Sequence, residues 1–331
     1  MHWTIGEACP ADWSALIEEC GGGFHHSPAW LRVTSRAGKP VFVKYLSDEG
    51  IAGIALGLSN GNHISKQCYF PTLPAMGQVD LGNEALLELA SFLRGKGASL
   101  VRFGSSEASW LPGPAIPSNG WPRLEYFVDL SVDSEDLAKQ FGSTHRRNVR
   151  RGCRDGWELC ELEGEEAVGI LHDVRVRASD RAKDRGDGFA VRAPMDGVFD
   201  PTGSLKAKWG AKTFAACDGP TPLSAALVGW AGRRAFYVAG GSTPEGYRRS
   251  AAVWLHWSIM KQLAEQGFQV YNLGGTPESA QQPDHPAHGL YRFKKDFGAE
   301  IVHRRGARLV ASPFRVRAHE LLRSIKHALS V

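Results

Sequence analysis

Apolar positions along the chain alternate between two periods, and the same series of elements occurs twice. Leu86–Gly104 reads LLELASFLRGKGASLVRFG, and Leu255–Gly274 reads LHWSIMKQLAEQGFQVYNLG. Leu93, Gly97 and Gly104 in the first match Leu263, Gly267 and Gly274 in the second at identical spacing. Each stretch predicts an amphipathic helix, a glycine at its C-terminal end, and a short strand that stops at glycine. Upstream, Val41–Ser59 and Thr213–Trp230 each hold two apolar runs around a turn of Gly, Pro and Asp. That pattern predicts an antiparallel hairpin. FYVAGGS (Phe236–Ser242) predicts one more strand in the second half.

Strand–strand–helix–strand occurring twice points to a duplicated α/β unit with mixed sheets flanked by helices, not to a doubly wound parallel sheet. The expected division is 1–130, 131–312 and a terminal helix over 313–331. SVDSEDLAKQFGSTHRRNVRRG, from Ser131, is expected to open a new helix with Asp133 or Ser134 as N-cap. RVRAHELLRSIKHALSV is basic and amphipathic, and reads as a packed terminal helix rather than a membrane-surface anchor.

Composition adds limits. The 331 residues exceed one ordinary core, and 43% hydrophobic with 22% charged is globular composition. No apolar run reaches membrane-spanning length, and MHWTIGEACPADW does not read as a signal peptide. The six cysteines show no CxxC spacing, which argues against a disulfide scaffold or a zinc site and suits a reducing cytoplasm. Cys153 lies between Arg151 and Arg154, where a thiolate would be favoured, but a spectator thiol is the simpler reading. There is no G-x-S-x-G elbow and no metal motif, and no cofactor is expected.

The net charge of +4 matters by its distribution. HRRNVRR places Arg146 with Arg150, and Arg147 with Arg151, along adjoining helix stripes, which invites a phosphate-rich ligand or else forms a solvated face. Arg248 and Arg249 precede a helix from about Ala251, a natural anion site. HGLYRFKKDFGAE (His288–Glu300) sets Arg292, Lys294 and Lys295 among aromatics. Read as a strand, it would turn Lys294 and Lys295 to opposite faces, one toward a cleft and one toward water.

STHRRNVRRG (Ser143–Gly152), AGGSTPEGYRRSAAVWLHWSIM with YNLGG (Tyr271–Gly275), and GLYRFKKDFG (Gly289–Gly298) occur in that order. Together with FHHSPAWLRV (Phe24–Val33), they resemble the Fem-type (FemABX) aminoacyltransferases, which build the peptide cross-bridge of peptidoglycan. The resemblance spans nearly the whole chain. It implies two tandem domains like the Gcn5-related N-acetyltransferase fold. It also implies transfer of an amino acid from aminoacyl-tRNA to a free amine in the cytoplasm. No long heptad segment marks the coiled-coil arm of some members. Related chains of this size also serve antibiotic biosynthesis and exopolysaccharide gene sets, so the acceptor is a peptidoglycan precursor or a peptide-like metabolite. The protein is expected to act as a monomer or weak dimer without stable membrane insertion.

The resemblance also distributes roles. Lys294 is the cation near the transferring carbonyl or the terminal ribose, with Lys295 a phosphate contact. Phe293 either offers its backbone N–H or packs in the core. Arg146, Arg147, Arg150, Arg151, Arg248 and Arg249 would meet tRNA or nucleotide phosphate. Tyr237, Tyr247 and Tyr271 are candidates to hydrogen-bond the acceptor. Where the family carries an Asp-Pro-Glu-like segment this chain has FGSSE, so Glu107 is the nearest substitute and the general base is open. Arg32 and Arg36 stand where the family often has Lys, which alters anion geometry. Two rivals remain. One is an acyl-coenzyme A-dependent N-acyltransferase, although GYRRSAAVW lacks the glycine spacing of that cofactor's pyrophosphate loop. The other is a non-catalytic RNA- or nucleotide-binding protein on the same fold.

Overall fold

The computed structural model describes residues 2–34, 38–48, 50–61, 66–76, 82–106, 121–184, 186, 203–310, 312 and 314, with the backbone only at 82–85. The chain divides into two units. One holds Met1–His26, Arg36–Pro122 and Arg304–Val331, and the other holds Ser27–Ser35 and Arg123–His303.

The first unit contains β1 (His2–Gly6), α1 (Trp13–Glu19), β2 (Lys39–Ser47), β3 (Gly50–Asn60), β4 (Lys66–Phe70), α3 (Gly82–Gly95), β5 (Ala98–Phe103) and β13 (Ala307–Val310); α2 (Pro28–Val33) belongs to the second unit. Its sheet runs β1-β2-β3-β4-β5-β13. The β4–β5 pair is parallel, and the other neighbours are antiparallel. α3 joins the parallel pair, and its Leu89 and Leu93 bury against Phe70, Val101 and Phe103.

The second unit contains β6 (Pro122–Asp129), α4 (Ser143–Arg154), β7 (Glu158–Leu162), α5 (Gly164–Lys183), β8 (Trp209–Asp218), β9 (Thr221–Ala231), β10 (Arg234–Ser242), α6 (Pro244–Arg248), α7 (Ala251–Glu265), β11 (Val270–Pro277), α8 (His288–Lys295) and β12 (Glu300–Arg305). Its sheet runs β12-β6-β11-β10-β9-β8-β7. Here β10 and β11 are the parallel pair and α7 joins them. The duplication read from the sequence is therefore present: hairpin, strand, helix, and a second strand parallel to the third. In both copies the helix is followed by a glycine at positive φ (Gly97 at 89°, Gly267 at 82°), a backbone turn that a Cβ would strain. The sequence reading missed β4, whose KQCYF is short and has polar residues at its start.

Two local expectations are corrected. The main helix after Ser131 starts at Ser143 with Gly142 at its N-cap, preceded by a 3-10 turn over Leu137–Gln140. Asp133 instead accepts the N–H of Glu135, holding a turn. His288–Lys295 is a helix, not a strand. Its 100° step per residue still separates the two lysines: Lys294 is buried and Lys295 is exposed.

The parallel pair in the second unit opens. β10 and β11 pair only over Arg234–Phe236 with Val270–Asn272. Immediately beyond, β10 shifts register against β9 between Tyr237 and Ala239, and β11 shifts against β6 between Asn272 and Gly275. Bulges bend strands and break the ladder locally. Two at the same level let the strands diverge, and the resulting opening defines the site.

Candidate functional site

Lys294 fills the opening. It is 5% exposed, and its Nζ donates to the carbonyl of Gly275 at 3.2 Å. The Nζ lies 5.8 Å from the ring centre of Tyr126 on β6 and 6.0 Å from that of Tyr237 on β10. Gly274 has φ 73°, and an added Cβ there would stand 3.5 Å from Nζ. The Asn272–Gly275 bulge thus wraps around the ammonium. Burial pulls the Lys294 pKa down to about 7; repulsion from Arg123 adds to this and Glu125 opposes it. Glu125 is fully buried and stands 3.9 Å from Arg123. A lysine with this value changes charge near neutral pH, which ordinary lysines do not.

Aromatic and imidazole rings hold α8 in place. His145 of α4 is hydrogen-bonded through Nε2 to the carbonyl of Phe293 at 3.0 Å and packs edge-on against Phe297 at 4.5 Å. His256 of α7 pairs through Nδ1 with the Tyr271 hydroxyl at 3.0 Å and meets Tyr237 edge-on at 4.7 Å. Burial, then the charge on Lys294, then His145 drive the His256 pKa down to about 3, so it stays neutral. Burial also lowers His145, against the pull of the Phe293 carbonyl and Asp296. Tyr126 shares a 2.7 Å hydrogen bond with Thr276 on the bulged strand. Asn272 accepts the N–H of Gly274 at 2.7 Å through Oδ1, while its buried Nδ2 has no partner among the described residues. A buried donor left unused on the bulged strand is able to meet an incoming oxygen atom.

The other sequence candidates are distributed around this centre. Phe293 lies within α8, with its N–H inside a helical turn and its ring half-buried against the core. Tyr237 lines the opening; burial raises its pKa to about 12, against the pull of Arg175. Tyr271 is fully buried and its hydroxyl is held by His256. Tyr247 is exposed on α6 beneath the Arg181 guanidinium, 4.9 Å from its ring centre. Lys295 points outward over the Tyr291 ring. Arg32 on α2 lies 5.6 Å from the ring centre of Trp209, away from the contacts around Lys294. Arg36 and Glu107 lie outside the described residues, as does all of 313–331 except Phe314.

The arginines separate into two kinds. Arg146 donates to the Phe141 carbonyl at 2.6 Å, and Arg151 donates to the carbonyl of Arg249. Arg248 pairs with Glu245, and Arg249 pairs with Asp218 at 2.5 Å and Asp155 at 3.1 Å. These four are held by the protein itself. Arg147 and Arg150 are exposed on α4 and have no acidic partner among the described residues. They border a concavity of about 400 Å³ shared with Asn148, Arg151 and Arg154.

Among the described residues no cluster of His, Cys, Asp or Glu could hold a metal, and no helix is long and apolar enough to cross a membrane.

Residues 205–323 match the family model of the FemAB family. The matched segment carries β8–β11, α7 and α8, and therefore Tyr237, the bulge and Lys294. The structure of FemX resembles this chain with a TM-score of 0.61 at 14% identity, covering 92% of this chain and 97% of that one. A conserved protein of unknown function from Bacteroides thetaiotaomicron gives 0.55 at 13%, covering 92% and 99%. L-PGS from Bacillus licheniformis gives 0.53 at 14%, covering 97% and 98%. At these identities the likeness is one of fold. No curated protein matches the sequence. His145, His256, Tyr126, Asn272 and Arg123 escaped the sequence reading, because nothing in their local patterns shows that the fold gathers them around α8 and the bulged strand.

Proposed function

We propose that the protein is a cytoplasmic aminoacyltransferase that forms an amide from aminoacyl-tRNA and the amine of a peptidoglycan precursor or a peptide-like metabolite. The single observation that carries this reading is Lys294, a buried ammonium in a strand opening with no carboxylate in direct contact among the described residues. The amine nitrogen attacks the ester carbonyl and a tetrahedral oxyanion forms. The new C–N bond is retained, the C–O bond to the terminal ribose breaks, and the amine's proton leaves on the ribose hydroxyl. Protonated Lys294 and the free Nδ2 of Asn272 supply charge and a hydrogen bond to the oxyanion. No covalent enzyme intermediate is needed.

Arg147 and Arg150 are the arginines of α4 available to tRNA phosphates. The cations at the start of α7 favour coenzyme A less, because Arg248 and Arg249 are already neutralised by Glu245, Asp155 and Asp218. An exposed arginine pair facing phosphates predicts a clear salt signature. Arg147→Glu with Arg150→Glu should weaken tRNA binding by at least about tenfold and flatten the slope of log affinity against log salt by roughly 1.5–2. Filter binding between 50 and 300 mM salt measures both, and an unchanged slope would leave α4 as a solvated face.

The direct test of the activity uses total bacterial tRNA charged with labelled amino acids, plus an extract of amines and cell-wall precursors, followed by mass spectrometry. Label leaving tRNA for a new amide is the expected result. Acylation from acetyl-coenzyme A alone would overturn it.

A further inference from the structure

Tyr247 on α6 is the one exposed tyrosine of the seven in the chain; the other six are buried or half-buried. It is 58% exposed, yet it is held firmly. The Arg181 guanidinium of α5 lies over its ring, 4.9 Å from the centre, and Arg181 is itself anchored by donating to the Ser242 carbonyl at 3.0 Å. α6 is clamped to β9. Thr243 Oγ1 accepts the N–H of Gly246 at 3.0 Å and donates to the Leu223 carbonyl at 3.1 Å, and an added Cβ on Gly246 would overlap that carbonyl. The ring is therefore presented to solvent on a fixed support, with a cation backing it.

This support stands at the outer end of the opening. β10 pairs with β11 only as far as Phe236 and runs on from Tyr237 to Ser242 without it. The Tyr237 side chain lies along that stretch, since an added Cβ at Gly240 would meet its hydroxyl at 2.8 Å. Lys294 marks the inner end, 6.0 Å from the Tyr237 ring centre. Ser242, which anchors Arg181, is the last residue of the strand. From Tyr237 to Ser242 the strand advances roughly 17 Å, so a ligand with its reacting group at Lys294 would carry its far end to Tyr247.

We propose that Tyr247, backed by Arg181, is the stacking platform for the adenine of the acyl donor. Assigning the base to a donor rests on the transferase reading; the platform itself rests on the geometry. Every base has a π-face, and a tyrosine offers a large planar contact at little cost in conformational freedom. The surface around it recognises a ring better than a bare phosphate, because Arg248 is already paired with Glu245, and Arg249 with Asp155 and Asp218. Adenine is common to both donors weighed above: it is the terminal base of tRNA, on the ribose that bears the aminoacyl ester, and it is the base of coenzyme A.

The test uses the full-length protein and paired probes. Filter binding compares uncharged tRNA with and without its terminal adenosine. Calorimetric titration compares coenzyme A with 4′-phosphopantetheine, which lacks the adenosine. In the wild type, removing the adenosine from tRNA should weaken binding about tenfold. Tyr247→Ala should weaken binding of the intact tRNA by the same factor and leave the shortened tRNA unchanged, because base and ring act as one pair. Tyr247→Phe, which keeps the ring, should bind like the wild type. Melting curves establish that each variant is folded. A loss in Tyr247→Ala that does not depend on the adenosine, or no loss with any probe, would overturn the proposal. The same coupling with coenzyme A and not with tRNA would keep the platform and remove the aminoacyl-tRNA reading. Coupling with tRNA while label never moves into an amide would keep the platform and remove the transferase reading instead.

Discussion

Lys294→Met is expected to slow transfer at least tenfold and, at pH 6, to raise the melting temperature. The rate loss follows from removing the charge opposite the developing oxyanion; tenfold corresponds to about 1.4 kcal/mol of transition-state stabilisation, and single donors of this kind often supply more. The stability gain follows from the same burial. In the folded protein Lys294 titrates at about 7, below its ordinary 10.5, chiefly because burial penalises the ammonium. A depressed lysine pKa means the unfolded chain holds the proton more tightly than the folded one. The cost to folding is therefore complete below about pH 7 and fades as pH rises toward 10.5. Methionine has nearly the same length and no charge to desolvate, although the Gly275 carbonyl loses its donor. Exchanging a buried ionic group for an apolar one of similar volume is often stabilising, here by roughly 1–3 kcal/mol. The difference between variant and wild type should shrink between pH 6 and pH 9.5. A variant that melts lower at pH 6, or whose advantage does not change with pH, would show that Lys294 is not buried as a costly cation. In the wild type, kcat/KM should lose one ionisation near pH 7, falling as Lys294 gives up its proton, and that limb should be absent from Lys294→Met.

Trp254→Ala should be the most damaging change away from the opening. Trp254 is 5% exposed on α7 and meets Trp157 edge-on at 6.0 Å. Gly152 of α4 is packed against its ring so closely that an added Cβ would overlap it. The indole is the spacer that sets α4 on α7. Removing it leaves a cavity the rigid helix pair cannot close, with an expected cost of about 3–5 kcal/mol. For a domain of this size that lowers the melting temperature by roughly 10 °C. Since α4 also carries His145, which holds the Phe293 carbonyl, activity should fall with the packing. Differential scanning calorimetry checks the first effect. A loss below about 1 kcal/mol would mean that α4 relaxes onto α7 without its spacer.

The sequence alone determined the duplicated series of hairpin, helix and strand, because alternation of period 2 and period 3.6 is local and is punctuated by glycines such as Gly97 and Gly267. It also singled out Lys294 and the arginines of α4, since a cation inside an apolar pattern is visible without a fold. It misassigned His288–Lys295: the eight residues are too few, and too mixed in aromatics and cations, for a period to separate strand from helix. Which arginines remain free was a tertiary matter. Arg249 and Arg147 sit in equally basic stretches, yet Arg249 meets Asp155 and Asp218, 94 and 31 residues away in sequence. The depressed pKa of Lys294 and the neutral His256 were likewise decided only by folding. Each depends on desolvation and on charges brought from distant strands and helices, and these energies fall off with distance in space, not along the chain.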